Sequence, residues 1–147
     1  MPNLSDIYDR ISDKSLTATL SGLIDIASPT GQEAPLAEHI AGQLSSYGYA
    51  ATTQYLNEEQ ANAIASTKGM GTGRNLLLYA PIDTVSSNSE AEDLPWIGPE
   101  LRPDMRAKSY IQDGHVYGLG AHNPKGHAAC IIEAARILKT MDHGLAG

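Results

Sequence analysis

The chain has 147 residues, 41% of them hydrophobic, enough to bury the core of one domain, and no apolar run reaches the length of a bilayer-spanning helix. A net charge of −7 works against a phosphate backbone, so nucleic acid is not an expected partner, and with no spanning run neither is a membrane. The polar, acidic start over residues 1–13 lacks a signal-peptide pattern, and one cysteine excludes an internal disulfide and a cysteine-based zinc cluster; a cytoplasmic location fits all of this.

Leu16, Leu20, Leu23 and Ile24 recur at helical spacing and predict an amphipathic helix over 15–27, broken by Ser28-Pro29-Thr30-Gly31. A second helix is expected over 33–47, with Pro35 in its first turn, Leu36, Ile40 and Leu44 on one face, and Gly48 as its cap. Residues 49–56 read as a strand, 57–66 as a short helix or a loop, and 68–73 as a flexible turn. The apolar run 75–80 suits a strand covered on both faces, as in a parallel sheet between helices. Residues 86–105, rich in Pro, Ser and acid, read as a long loop. Asp113-Gly114 turns into a short strand around Val116. The last element is a helix over 124–141, with Pro124 at its first position and Asn123 as N-cap. Cys130 lies on its apolar stretch and reads as a small buried hydrophobe. Alternation of helices and strands gives the α/β class.

Two segments carry the chemistry. One is Leu76-Leu77-Leu78-Tyr79-Ala80-Pro81-Ile82-Asp83-Thr84-Val85; the other runs from Asp113-Gly114-His115 through Tyr117-Gly118-Leu119-Gly120-Ala121-His122-Asn123-Pro124-Lys125-Gly126, with Leu94-Pro95-Trp96 between them. Their order and spacing, with the earlier Ser28-Pro29-Thr30-Gly31 and Glu33, resembles the zinc hydrolases that include acetylornithine deacetylase, succinyl-diaminopimelate desuccinylase, the aminoacylases and carboxypeptidase G. The resemblance runs from about Leu16 onward. It implies that residues 1–147 form the N-terminal part of one zinc-peptidase-like, three-layer α/β/α catalytic domain. The rest of that domain, and any lid domain, is expected on a partner chain.

In such a family the first motif supplies a zinc-binding His held by an Asp, and the second an Asp that bridges two zinc ions. Here Pro81 stands for the His, Asn123 for the bridging Asp and Leu119 for an Arg, while Asp83 remains. Proline has no ligating side chain, and a neutral amide does little to offset the repulsion between two dications. No metal is therefore expected; zinc held by a site rebuilt from His122 or His127 is the alternative. Asp83, Asn123 and His122 are the candidate catalytic residues, and Trp96 and Lys125 the candidate substrate contacts. Each has a plainer reading: Asn123 as a cap, Asp83 as a carboxylate capping backbone amides, His115, His122 and His127 as solvated residues of a polar loop, Trp96 as a cover for an apolar edge, Lys125 as a packing or ion-pair residue.

Three functions compete. The first is a hydrolase of a non-peptide C–N bond (amide, lactam or ureido) on a small molecule, without the paired zinc. The second is a metal-dependent aminoacylase or deacetylase with a rebuilt zinc site. The third is a non-catalytic binding or regulatory subunit. All expect a second polypeptide, because His143-Gly144-Leu145-Ala146-Gly147 stands just before the strand that bears the family's catalytic Glu. A separately encoded subunit, a nick, a truncation, or self-cleavage exposing a Ser, Thr or Cys nucleophile on the partner are the open explanations.

Overall fold

A computed structural model describes residues 4–141 and 145–146; residues 1–3, 142–144 and 147, and with them part of the expected chain end, lie outside. The fold mixes helix and strand, as a small α/β domain. Its elements are α1 (Leu4–Tyr8), α2 (Asp13–Ile24), α3 (Ala34–Ser46), β1 (Ala50–Tyr55), β2 (Ala61–Ser66), α4 (Glu90–Ile97), a 3-10 turn (Pro103–Met105), β3 (Tyr110–Gln112), β4 (His115–Tyr117) and α5 (Lys125–Lys139). Among the described residues no helix is long and apolar enough to cross a membrane.

Helices α2, α3 and α5 form where the apolar periodicity predicts. Ser12 caps α2, its hydroxyl accepting from the Ser15 N–H at 3.2 Å. Gly48, at φ +85°, carries the chain out of α3 in a conformation that costs glycine little. The three helices share one core of Leu23, Leu36, Ile40, Ala128, Ala129 and Ile132. Burying each larger aliphatic side chain there contributes about 1.5–3 kcal/mol. On the inner face of α5, Glu133 accepts from the Thr19 hydroxyl at 2.8 Å and the Arg136 guanidinium at 2.8 Å, so the charge drawn into the helix interface is paired.

β1 and β2 form an antiparallel hairpin in register from Ala50↔Ser66 to Tyr55↔Ala61, packed against α3. Residues 57–66 are thus neither helix nor plain loop. The Asn57 side chain accepts from the N–H groups of Glu59 (2.9 Å) and Gln60 (2.8 Å), an Asx turn that reverses the chain, and Ala61, Ala63 and Ala65 alternate toward the interior. β3 and β4 form a second hairpin about Asp113 (φ +51°) and Gly114 (φ +76°), closed by stacked Tyr110 and Tyr117 rings 4.9 Å apart.

Three further expectations change. Residues 75–80 form no strand: Leu76, Leu77 and Tyr79 are exposed and the segment makes no backbone ladder among the described residues. An apolar run becomes a buried strand only when neighbours supply both edges and both faces; only its end, at Ala80 and Ile82, packs on the core. The presumed loop 86–105 contains α4, which Ser89 starts with Glu90, Glu92 and Asp93 in the first turn, where acids suit the helix dipole. Cys130 is exposed, because α5 turns Ala128, Ala129, Ile132, Glu133 and Ile137 inward and leaves position 130 on the outer face.

Candidate functional site

Three strips of chain meet where α2 ends and α5 begins. Ser28 is buried and its hydroxyl donates to the Ile82 carbonyl at 2.7 Å. The Thr84 N–H donates to the Ser28 carbonyl at 2.8 Å and the Thr30 N–H to the Thr84 carbonyl at 3.0 Å, a short parallel pairing centred on Pro29 and Thr84. Within it the Thr30 hydroxyl donates to Asp83 Oδ2 at 2.7 Å. The half-buried Asp83 carboxylate is thereby oriented, while Pro81 points no donor atom anywhere and lies exposed.

The third strip enters through glycines. Gly118, at φ +142°, lies against Ile24 and the Lys108 carbonyl, leaving no room for a Cβ. Gly120, at φ +81°, is wedged between the Lys125 stem and the Thr84 methyl; a Cβ there would stand 3.1 Å from Lys125 Cγ and 3.2 Å from Thr84 Cγ2. This contact joins the Asp83 strip to the loop that carries His122 and Asn123. The Lys125 N–H donates to the Gly120 carbonyl at 3.0 Å, closing the loop.

Lys125 is fully buried, and its ammonium donates to the Ile26 carbonyl at 2.6 Å, just past the end of α2. Burial lowers its pKa to about 8, partly opposed by the Asp25 carboxylate. Asp25 is itself held by the Ser109 N–H at 2.5 Å. Lys125 therefore ties the start of α5 to the end of α2, its charge spent on a carbonyl inside the protein.

His122, Asn123 and His127 are exposed. Asn123 is not the cap of α5: Pro124 holds that position without a side-chain cap, across a cis Asn123–Pro124 bond. His115 is also exposed, its Nδ1 2.8 Å from the Asp113 carbonyl. Among the described residues no three His, Cys, Asp or Glu side chains gather as a metal site requires.

Trp96 lies apart from this junction, on α4. It stands 88% exposed at a recess of about 340 Å³ lined with Val85, Ser86, Asp93 and Ile97. Asp93 is buried; Ser86 Oγ donates to it at 2.6 Å, Ser87 N–H at 2.9 Å and Ser87 Oγ at 3.1 Å. Burial pushes its carboxyl up, but the hydrogen bonds from Ser86, Ser87 and Asn88 outweigh this and hold it below the usual value.

Sequence reasoning named Asp83 as a candidate but did not single out Thr30, which orients it, nor Thr84 and Asp93. The signal for Thr30 was present in Ser28-Pro29-Thr30-Gly31, whose hydroxyls are well suited to bond a neighbouring strand end. Asp93 carried the signal of an acid in the first turn after a Ser cap. In comparisons with known proteins, no family model matches the chain, and no solved structure matches it.

Proposed function

We propose that this chain is the N-terminal part of a three-layer α/β/α hydrolase domain that cleaves a non-peptide C–N bond (amide, lactam or ureido) in a small molecule, working with a second polypeptide and without a two-zinc centre. The observation that carries the reading is the Gly120 contact. A Cβ at Gly120 would stand 3.2 Å from Thr84 Cγ2, and Thr84 follows the Asp83 that Thr30 orients, while His122 and Asn123 follow Gly120 in the chain. Such a junction offers the three groups that amide cleavage needs. Asp83 takes the proton of the attacking water, or of a nucleophile on the partner chain. The Asn123 amide donates to the oxygen that gains charge as the carbonyl carbon becomes tetrahedral. His122 hands a proton to the departing nitrogen. The exposed Leu76, Leu77 and Tyr79 support the two-chain part of the proposal, since strands from a partner would cover them and satisfy the adjoining backbone.

The experiment is a panel of amides, lactams and ureido compounds assayed with and without chelator, on protein whose bound metal has been counted. Turnover that survives chelation supports the reading. Activity that vanishes with the chelator and returns with zinc points to a rebuilt metal site instead, and an assembled two-chain protein with no turnover on any member points to a binding subunit.

A further inference from the structure

We infer that the apolar run 75–80 is a self-pairing surface, on which a second copy of this chain docks as an antiparallel strand. The inference concerns the chain by itself and does not rest on the hydrolase reading; a different partner chain on the same run would displace the second copy. Residues 71–79 are all exposed, and the backbone runs without turn or bend from Gly73 to Asp83. Residues 74–81 take part in no backbone hydrogen bond among the described residues. Leu76 is 80% exposed, Leu77 86%, Leu78 46% and Tyr79 79%. Both ends of the run are anchored. The Met70 and Gly73 N–H groups donate to the Leu145 and Ala146 carbonyls at 2.8 and 2.7 Å, and Ala80 and Ile82 pack on the core. A strand held at both ends has already lost much of the freedom that docking would cost, and its bare backbone is a template for another strand.

Side chains alternate across a strand, so Leu77 and Tyr79 share one face and Leu76 and Leu78 the other. A two-fold axis through Leu78 pairs the run antiparallel with itself. It sets Leu77 of each copy opposite Tyr79 of the other, an aliphatic–aromatic cross-strand pair made twice. Charge favours the same arrangement. Residues 75–82 carry none, while Arg74 and Asp83 flank them. The axis brings Arg74 of each copy opposite Ile82 of the other, one residue from Asp83, whereas parallel pairing would set like charges together. Three leucines at roughly 60–120 Å² each and a tyrosine at about 150–250 Å² offer about 400–500 Å² per copy. Two copies together approach the roughly 1,000 Å² of a specific interface, so the dimer is weak and forms as concentration rises.

The purified chain is followed by sedimentation velocity from about 1 μM to about 500 μM. It should pass from monomer to dimer and stop there, and Leu77→Lys and Tyr79→Lys should each weaken the association at least about tenfold. Both positions are exposed, and circular dichroism checks that the variants fold. Register is read by cross-linking in a Cys130→Ser background, which removes the one native thiol. The axis puts Leu78 of one copy opposite Leu78 of the other, within disulfide reach, so Leu78→Cys should link two copies under mild oxidation. Arg74→Cys lies on the same exposed stretch but about 26 Å from its counterpart across the axis, and should not link. A monomer at every concentration, growth past the dimer, parent-like dimerisation of Leu77→Lys, or linking of Arg74→Cys as readily as Leu78→Cys overturns the inference.

Discussion

Burial of Lys125 makes a measurable demand on stability at alkaline pH. Its side chain is fully enclosed, with the ammonium on the Ile26 carbonyl, and burial lowers the pKa from 10.5 to about 8. In the unfolded chain the lysine keeps its proton up to about 10.4; in the folded chain it gives it up near pH 8. Between those values the unfolded state binds more protons, so raising the pH favours the folded state. At about 1.4 kcal/mol per pH unit the gain over that window is on the order of 3 kcal/mol. Denaturant unfolding of the parent and of Lys125→Met, measured in steps from pH 7 to pH 11, isolates this term. Tyrosines and other lysines titrate in the same range, but they are common to both proteins and cancel in the difference. The stability of the parent relative to the variant should rise through the window and level off above it. A difference that stays flat from pH 8 to 10.5 would refute the reasoning, because it would mean that the folded and unfolded chains hold this proton equally.

Other outcomes follow from the same structure. Burial pushes the Glu133 carboxyl up, but hydrogen bonds from Arg136, Thr19 and Ser15 prevail and hold it below its ordinary value. A depressed carboxyl stabilises above the unfolded value and loses that contribution as pH falls through the folded one, so melting temperature should drop more steeply between pH 6 and pH 3 in the parent than in Glu133→Gln. Gly118→Ala should cost about 1–3 kcal/mol in chemical denaturation, since the new methyl runs into fully buried Ile24 and the backbone is held at φ +142°. Pro81→His combined with Asn123→Asp should raise zinc affinity at least about tenfold by calorimetry, because it supplies an imidazole and a carboxylate at two positions that lack a strong zinc ligand.

The sequence was most informative where a segment's own periodicity decides its structure. Leu16, Leu20 and Leu23, like Leu36 and Ile40, each mark a helical face, and those faces do form the core. It was least informative where structure depends on neighbours. The run 75–80 has the composition of a buried strand, but burial is a property of what surrounds it, and here only its last residue, Ala80, packs on the core. β2 was obscured by small residues with little strand preference; its formation rests on the Asx turn at Asn57 and on the face of α3. At the candidate site the motif residues were visible, but their couplings were not. That Thr30 holds Asp83, that Gly120 is pressed between Lys125 and Thr84, and that Lys125 turns inward are long-range facts with no local spacing to announce them. Asn123 was read as a cap from its place before a helix, and the backbone at Pro124 removes it from that role.

Turnover of the best amide substrate by Asp83→Ala, Asn123→Ala and Cys130→Ser, each alongside the parent, tests the proposed catalytic junction most directly. Both Asp83 and Asn123 lie half-buried or exposed, so their replacement should leave folding intact by circular dichroism. The account predicts that kcat falls by at least about a hundredfold in Asp83→Ala and Asn123→Ala, the usual range for losing an acid–base group or an oxyanion donor, and stays at the parent value in Cys130→Ser. Full activity in the first two with loss in the third would contradict it, and would move the chemistry from the Gly120 junction to the outer face of α5.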